Sequence, residues 1–343
     1  MRAFSLFMFF CAVLTMFGSC DGGLVIPNST GTPGEIVVVM NKKDWDGQSG
    51  TILKDVLKEP VPGLPQIEPS LTISSVTPKG FDGILKVVRN IIIVDIDSAR
   101  YTKPAIKMAR DKWARNQLVM GIQAPDAASF ELFVTQKADE ILGVFVDEEL
   151  IRIQKHLKEV YNHDAQVKLK EMFDIEMSIP ESMKFSKDTT DFFWITNDAN
   201  TGRRDIVVYS FPYTDKDTFT KDYLVAKRDS VLKANLPGAF PGSYMSTEKR
   251  FSPEYKGLNV NGKYVGELRG LWRMEGDMMG GPFVSHARLD EKNRRVIVAE
   301  GFVYAPETKK RNHIRQVEAP LYTLRLPGDA VANDKGDVPA KKE

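Results

Sequence analysis

The residues best suited to chemistry are three carboxylates in the last third of the chain. Glu275, Asp277 and Glu300 fall in the stretch "GELRGLWRMEGDMMGGPFVSHARLDEKNRRVIVAEGFVYAPETKKR", residues 266–311. Two carboxyl groups in different surroundings can divide the roles of general acid and general base, because their pKa values are pushed apart. A hydrolase or transferase with a carboxylate-based site is therefore the alternative to a binding function.

The same stretch has a pattern that is more typical of a binding surface. A predicted strand places four charged residues on one face at a period of two: Glu267, Arg269, Arg273 and Glu275. A Gly-rich loop with two methionines follows. The predicted binding surface consists of Arg269, Arg273, Glu275, Asp277, Met278 and Met279. Such a face could bind an anionic ligand, although charges on a wet sheet face more often pair across strands, and each pair contributes little.

The segment "GLNVNGKY", residues 257–264, matches the GxxxxGK pattern of a phosphate loop. Tyr264 follows Lys263, where a phosphate loop needs Ser or Thr to bind magnesium. The next residues alternate like a strand, whereas a phosphate loop must open a helix that faces the phosphate. Asn261-Gly262 is a strong hairpin signal. The segment therefore predicts a turn, and we expect no nucleotide binding.

Other chemical motifs are missing from the sequence. It contains no HExxH, GxSxG, GxGxxG or paired CxxC, and the four histidines do not share metal-ligand spacing on any predicted face. We therefore expect no metal and no cofactor. Without residues 1–19 the chain has 47 − 1 = 46 Lys and Arg against 46 Asp and Glu. This neutral balance argues against nucleic acid as a partner.

Both cysteines, Cys11 and Cys20, lie at the start of the chain. Arg2 precedes an uncharged apolar run, and the small residues Gly18 and Ser19 lead directly to Cys20, as in a signal peptide followed by a lipoprotein cleavage site. We expect residues 1–19 to be removed and Cys20 to carry the lipid. The alternative is an ordinary cleaved signal peptide with an incidental free cysteine.

The elements that would position these residues form two halves. We expect a lipidated flexible tether over 20–34, an N-terminal half over 35–174, a C-terminal half over 175–327, and a disordered tail over 328–343. In the first half the pattern predicts strands at 35–40, 70–76, 90–96 and 117–124, and helices at 47–58, through Ile106 and Ala109, at 126–142 and at 147–173.

The C-terminal half is expected to contain an antiparallel meander. Its strands are predicted at 263–275, 282–289 and 295–304, with short connections that suit hairpins. A helix from Pro306 should cover this sheet and bury one apolar stripe against Trp272 and Met274. The members of the stripe are Ile314, Val317, Leu321 and Leu324. That packing would leave Arg269, Arg273 and Glu275 on the opposite, exposed face.

The two halves have similar local sequences. "EIVV" (35–38) matches "DIVV" (205–208), and "VLKEPVPG" (56–63) matches "VLKANLPG" (231–238). An internal duplication would explain both pairs, and coincidence between two common local patterns is the alternative. The predicted fold class is α+β, with two related α/β-type halves, the second having an antiparallel meander covered by a C-terminal helix.

Several longer segments carry a resemblance to a known family: "GEIVVVM", "DKWARNQLVMGIQAP", "GLWRMEGDMMGGPFVSHARLD" and "VIVAEGFVYAPETKKRNHIRQVEA". With them the chain resembles the domain of unknown function 4837 family of lipoproteins from Bacteroidetes-type bacteria. The resemblance implies a match over nearly the whole mature chain and a place in the cell envelope. It brings no catalytic residues, because none are established for the family.

These features together predict a lipid-anchored protein of the cell envelope that faces the periplasm and is a binding or structural module rather than an enzyme. The membrane would be reached through the lipid on Cys20, and an envelope protein or a glycan would be the partner. The outer membrane is favoured because Asp21 is followed by Gly22, Gly23 and an apolar triplet. An acidic cluster, which would mark export to the cell surface, does not follow Cys20.

Overall fold

The computed structural model describes residues 26–329, which contain two sheets. The first sheet has five strands in the order β2-β1-β3-β5-β4, all parallel except β4. Its strands are β1 Glu35–Val39, β2 Thr72–Val76, β3 Asn90–Ile96, β4 Ala105–Arg110 and β5 Leu118–Ala124. The helices of this half are α1 Lys42–Asp46, α2 Gln48–Leu57, α3 Ala127–Gln136, α4 Ala138–Glu159 and α5 His163–Phe173.

The second sheet has eight antiparallel strands. Seven follow the order β10-β11-β12-β13-β8-β7-β6, and β9 also pairs with β11. The strands are β6 Lys184–Thr189, β7 Phe192–Thr196, β8 Arg203–Pro212, β9 Tyr244–Thr247, β10 Glu254–Val260, β11 Lys263–Glu275, β12 Gly280–Asp290 and β13 Arg295–Tyr304. The helices are α6 Lys221–Asn235 and α7 Arg311–Tyr322. The predicted α+β class, the antiparallel meander and the C-terminal helix are confirmed.

Several predicted elements differ from the structure. The helix predicted through Ile106 and Ala109 is wrong, because Ala105–Arg110 is an edge strand that pairs antiparallel with β5. The turn between these strands has left-handed backbone at Asp111 and Asn116. The long helix predicted over 147–173 is interrupted after Glu159, since the side chain of Asn162 accepts a hydrogen bond from Ala165 N and starts a new helix.

The two faces of the second sheet are covered by different helices. Leu224 and Leu232 of α6 pack with Trp272 and Met274 on one face. The predicted stripe of α7 packs on the other face, against Val284, Ile297, Ala299 and Val303. The stripe is buried, but the prediction that it covers Trp272 is wrong. An alternating strand shows which residues share a face, and it does not show which face each helix covers.

Helix α7 also joins the two halves, because it packs against α4 as well as on the second sheet. Its first backbone N–H groups, at Lys310 and Arg311, donate to the buried carboxylate of Glu68 at 2.7 and 3.0 Å. Arg311 and Arg315 donate to backbone carbonyls of Pro69 and Ser70 in the first half. The predicted start at Pro306 was too early, since the helix begins where Glu68 caps it.

The segments paired by the duplication hypothesis have the same local order of strand, helix and strand. Their pairing differs: β1 lies next to β2 and runs parallel to it, whereas β8 does not pair with β9. The two sheets therefore have different topologies around these segments. Within residues 26–329, no helix is both long and apolar enough to cross a membrane. Cys20 and most of the predicted tail lie outside the described residues.

Candidate functional site

The predicted binding surface is divided by α7. Arg269 is largely covered by this helix, with 14% of its side chain exposed, and its guanidinium donates to Glu267 at 2.8 Å and also pairs with Glu318. The expectation that Arg269 faces solvent is therefore wrong. Burial opposes ionisation of Glu267, but Arg269 and a bond from His286 hold its pKa well below the ordinary value. This cluster fixes α7 on the sheet and has no free face.

Arg273 and Glu275 lie further along the same face and stay partly exposed, at 41% and 38% of their side chains. Arg273 Nε lies 3.4 Å from Glu275 Oε1, and Ser246 Oγ donates to the same carboxylate at 2.9 Å. Trp272 is buried as expected. The alternation predicted for β11 is thus confirmed, and the charges at its end pair with each other.

The structure does not assemble the proposed carboxylate site. Glu300 points to the face covered by α6, where it is fully buried and bonds Arg228 at 2.7 and 2.8 Å. Glu275 lies on the opposite face, and Asp277 is in the loop after β11, accepting a bond from Met278 N. Desolvation raises the pKa of Glu300, although Arg228 opposes this. Three carboxylates so separated cannot act on one substrate.

An apolar groove of about 170 Å³ lies beside the loop that follows β11, and Met279 of this loop lines it. It is built from residues of β7, β8, β9, β11 and β13, from the loop after β11 and from the segment after α6. Its main lining side chains are Trp194, Met245, Trp272, Met274, Met279 and Phe302. Met279 of the predicted binding surface therefore meets Met274, near the end of β11, at this site. We call this feature the apolar groove.

One wall of the groove is shaped by a hydrogen bond of Trp272 and by the glycine at position 281. Trp272 Nε1 donates to Val303 O at 3.1 Å, which turns the indole across the neighbouring strand β12. A side chain at Gly281 would bring its Cβ within 2.0 Å of Val303 O and within 3.2 Å of the indole nitrogen. Only glycine at this position lets Trp272 approach β13, so the groove wall depends on that residue.

The groove has one polar end. Asp205 is fully buried, and it accepts bonds from Trp194 Nε1 at 2.9 Å and from Arg203 Nη2 at 3.0 Å. Burial raises the pKa of Asp205, while Arg203 opposes the rise. The paired charges leave little net charge, and the bonds fix the ring of Trp194 at the groove mouth.

Two exposed apolar residues flank the groove. Met278 is fully exposed and precedes the lining residue Met279, while Phe240 is 60% exposed and follows the lining residue Ala239. Sequence analysis identified the methionine loop but missed Trp194, which comes from a strand about 80 residues earlier. Its signal was a tryptophan within the apolar run "FFWI", residues 192–195.

The other sequence hypotheses have clear outcomes within the described chain. Asn261 and Gly262 have φ of 52° and 78°, so the predicted hairpin turn is confirmed and Lys263 begins β11. In the part of the chain that the structure describes, no three His, Cys, Asp or Glu residues are arranged to hold a metal ion. The buried His286 lies within hydrogen-bond distance of Glu267 and packs edge-on against the ring of Tyr322.

Two family models match the chain. Residues 162–323 match a domain of unknown function (DUF4837), which confirms the resemblance for this segment, and residues 29–158 match a different domain of unknown function (DUF8532). The expected match of the first family over nearly the whole chain is thus restricted to the C-terminal half. No curated protein matches the sequence.

Solved structures give only remote similarities. The Ran-binding protein Mog1p of Saccharomyces cerevisiae is 10% identical, with a TM-score of 0.30, over 49% of this chain and 93% of that chain. A structure from Bacteroides thetaiotaomicron is 13% identical, with a TM-score of 0.20, over 45% of this chain and 46% of that chain. Neither carries an argument about function.

Proposed function

We propose that this chain, whose residues 162–323 form a domain of the DUF4837 family, is a lipid-anchored envelope protein that binds a partner protein and catalyses no reaction. The observation that carries the proposal is the apolar groove with Met278 and Phe240 exposed beside it. Large apolar residues exposed next to an apolar cavity are typical of interaction sites.

The size of the groove indicates what it takes from the partner. A cavity of about 150 Å³ lined by apolar side chains holds a benzene ring. The groove, at about 170 Å³, therefore fits one large aliphatic or aromatic side chain. Burial of such a side chain contributes about 1.5–3 kcal/mol, and a few anchors of this kind dominate most interfaces. Methionines adapt well to different apolar groups.

The membrane part of the proposal is supported by the sequence before the described residues. The apolar run, Gly18, Ser19 and Cys20 favour lipid attachment at Cys20. One acyl chain binds a membrane only marginally, and two hold a protein stably. The composition after Cys20 favours retention on the periplasmic side of the outer membrane. The alternative of a hydrolase or transferase is not favoured, because its three carboxylates are separated.

Site-specific photocrosslinking in intact cells tests the binding function. A photoreactive amino acid replaces Phe240, which follows the lining residue Ala239. In a matched control it replaces Phe251, which is equally exposed (61%) and has no lining residue next to it in the chain. We expect a discrete adduct from position 240 alone, and we expect Met279→Asp to abolish it. Equal adducts from both positions, or an adduct that survives Met279→Asp, would contradict the proposal.

Membrane attachment is tested separately. We expect Cys20→Ala to move the protein from the detergent phase to the aqueous phase on phase separation. Unchanged partition would rule out the lipid anchor. Protease added to whole cells should spare the wild-type protein, and digestion without lysis would show that it faces the cell exterior.

A further inference from the structure

A second cavity, of about 590 Å³, lies at the far end of the second sheet from the apolar groove. Strand β11 lines the groove with Trp272 and Met274 and lines this cavity with Lys263 and Tyr264 at its other end. The end of β12 with the following turn (288–292), three residues of the segment after β8 (Tyr213, Lys216 and Phe219) and Leu326–Asp329 complete its walls. We call it the basic cleft. Its volume is in the range of sites that bind small molecules.

One wall of the basic cleft is a row of aromatic rings. The ring centroids of Tyr213 and Phe219 are 6.2 Å apart, and those of Phe219 and Tyr264 are 5.5 Å apart. The hydroxyl of Tyr255 donates to Phe219 O at 2.6 Å and lies 2.6 Å from the hydroxyl of Tyr264. Tyr264 is held in place by this bond yet remains 53% exposed, so it presents a fixed ring to the cleft.

Four cationic side chains line the same cleft. Lys292 pairs with Asp174 at 3.3 Å, and Arg288 donates to the carbonyl of Leu324 at 2.9 Å. For Lys216 and Lys263, no carboxylate among residues 26–329 lies within ion-pair distance. Two of the four cations are therefore available to a ligand.

The carboxylates of the cleft do not neutralise these lysines. Asp290 is buried and accepts from Arg295 Nε at 2.9 Å, and Asp329 accepts from Leu326 N at 2.9 Å. Glu291 is exposed on the turn between β12 and β13. Four cations and three carboxylates line the cleft, and Asp290 is also paired with Arg295, so the cleft favours an anion.

We propose that the basic cleft binds an acidic saccharide, with a sugar ring packed on Tyr264 and its carboxylate held by Lys216 and Lys263. A sugar ring offers a flat face of C–H groups to an aromatic ring, and a carboxylate forms strong charge-assisted hydrogen bonds with ammonium groups. The hairpin at Lys263 has no helix behind it, so the cleft lacks the phosphate cradle of a nucleotide site. This site is independent of the groove.

Titration calorimetry on the purified full chain tests the proposal with three probes: a digalacturonate, a neutral digalactose and inorganic phosphate. We expect the acidic disaccharide to bind at least about tenfold more tightly than the neutral one, the difference that one or two charged hydrogen bonds supply. Lys216→Gln with Lys263→Gln, or Tyr264→Ala, should each weaken binding about tenfold. Lys249→Gln, an exposed lysine outside the cleft, should change nothing.

Each contrary outcome overturns the proposal in a different way. Equal affinity for the acidic and neutral disaccharides would exclude recognition of the carboxylate. Displacement of the disaccharide by an equal concentration of phosphate would show a simple anion site. Binding unchanged in the double lysine variant, or absent from the wild type, would exclude the cleft. Met279→Asp should retain saccharide binding, so failure of the groove and failure of the cleft are distinguishable.

Discussion

The buried ion pair between Arg228 and Glu300 makes the sharpest prediction about stability. Neither side chain is exposed, and the guanidinium also donates to Thr247 Oγ1 at 2.8 Å and lies 3.8 Å from the ring of Phe283. Arg228→Met keeps most of the volume but leaves a carboxylate buried without its two charged bonds. Loss of one partner of a buried pair costs about 3–5 kcal/mol. We expect that loss in the free energy of unfolding at pH 7.

The stability of the same variant should depend more strongly on pH than that of the wild type. Without Arg228, desolvation raises the pKa of Glu300 further above that of the unfolded chain, so the native state binds the extra proton. Its stability then falls as pH rises above about 4.3, by up to about 1.4 kcal/mol per pH unit until the native pKa is passed. The deficit should be smaller at pH 5 than at pH 8.

Urea unfolding followed by circular dichroism measures both effects. Glu300→Gln added to Arg228→Met removes the buried charge and should recover about 2 kcal/mol or more, since removing both charges of a buried pair costs far less than removing one. The matched control is Lys42→Met, which breaks the solvent-exposed pair of Lys42 with Asp46 and should cost under about 1 kcal/mol. A deficit under about 1 kcal/mol for Arg228→Met, or one equal at both pH values, would refute the reasoning.

Three further predictions concern other parts of the C-terminal half. Leu321→Asp places a charge in the α7 core and should unfold this half, whereas Arg273→Ala should leave it folded; circular dichroism distinguishes them. Lys263→Ala should change stability by less than about 1 kcal/mol, and the wild type should show no ATP affinity in calorimetry that this variant loses. Bonds from Arg250 lower the pKa of Glu248 from 4.5 to about 2. The stabilisation that Glu248 contributes is therefore complete above pH 4.5 and is lost as the pH falls towards 2. In Glu248→Gln, the urea midpoint should vary less with pH over that range than in the wild type.

The sequence predicted the local geometry of the meander well. Asn261-Gly262 specified the hairpin, and the alternation of β11 placed Trp272 inside and Arg273 outside. It failed where charged residues were buried. Glu267 and Arg269 were predicted to face solvent because charged residues are usually exposed. Glu318 of α7 pairs with Arg269, however, and this pairing allows the helix to cover both side chains.

The functional surfaces were harder to predict because their residues come from distant strands. The apolar groove combines Trp194, Trp272 and Tyr304, which the sheet order brings together through β7, β11 and β13. No local period contains that information. The basic cleft was missed for a different reason: Lys263 was assessed only as part of a phosphate loop, while its neighbours in space, such as Lys216, lie on another element.

The position of α7 has a consequence for biosynthesis. During translation every strand of both sheets is synthesised before Arg311. Glu68 and the carbonyls of Pro69 and Ser70 therefore have no hydrogen bonds from α7 until this helix has been made. A prematurely terminated chain would therefore keep unsatisfied polar groups in its first half. Such fragments should therefore unfold more easily than the complete chain.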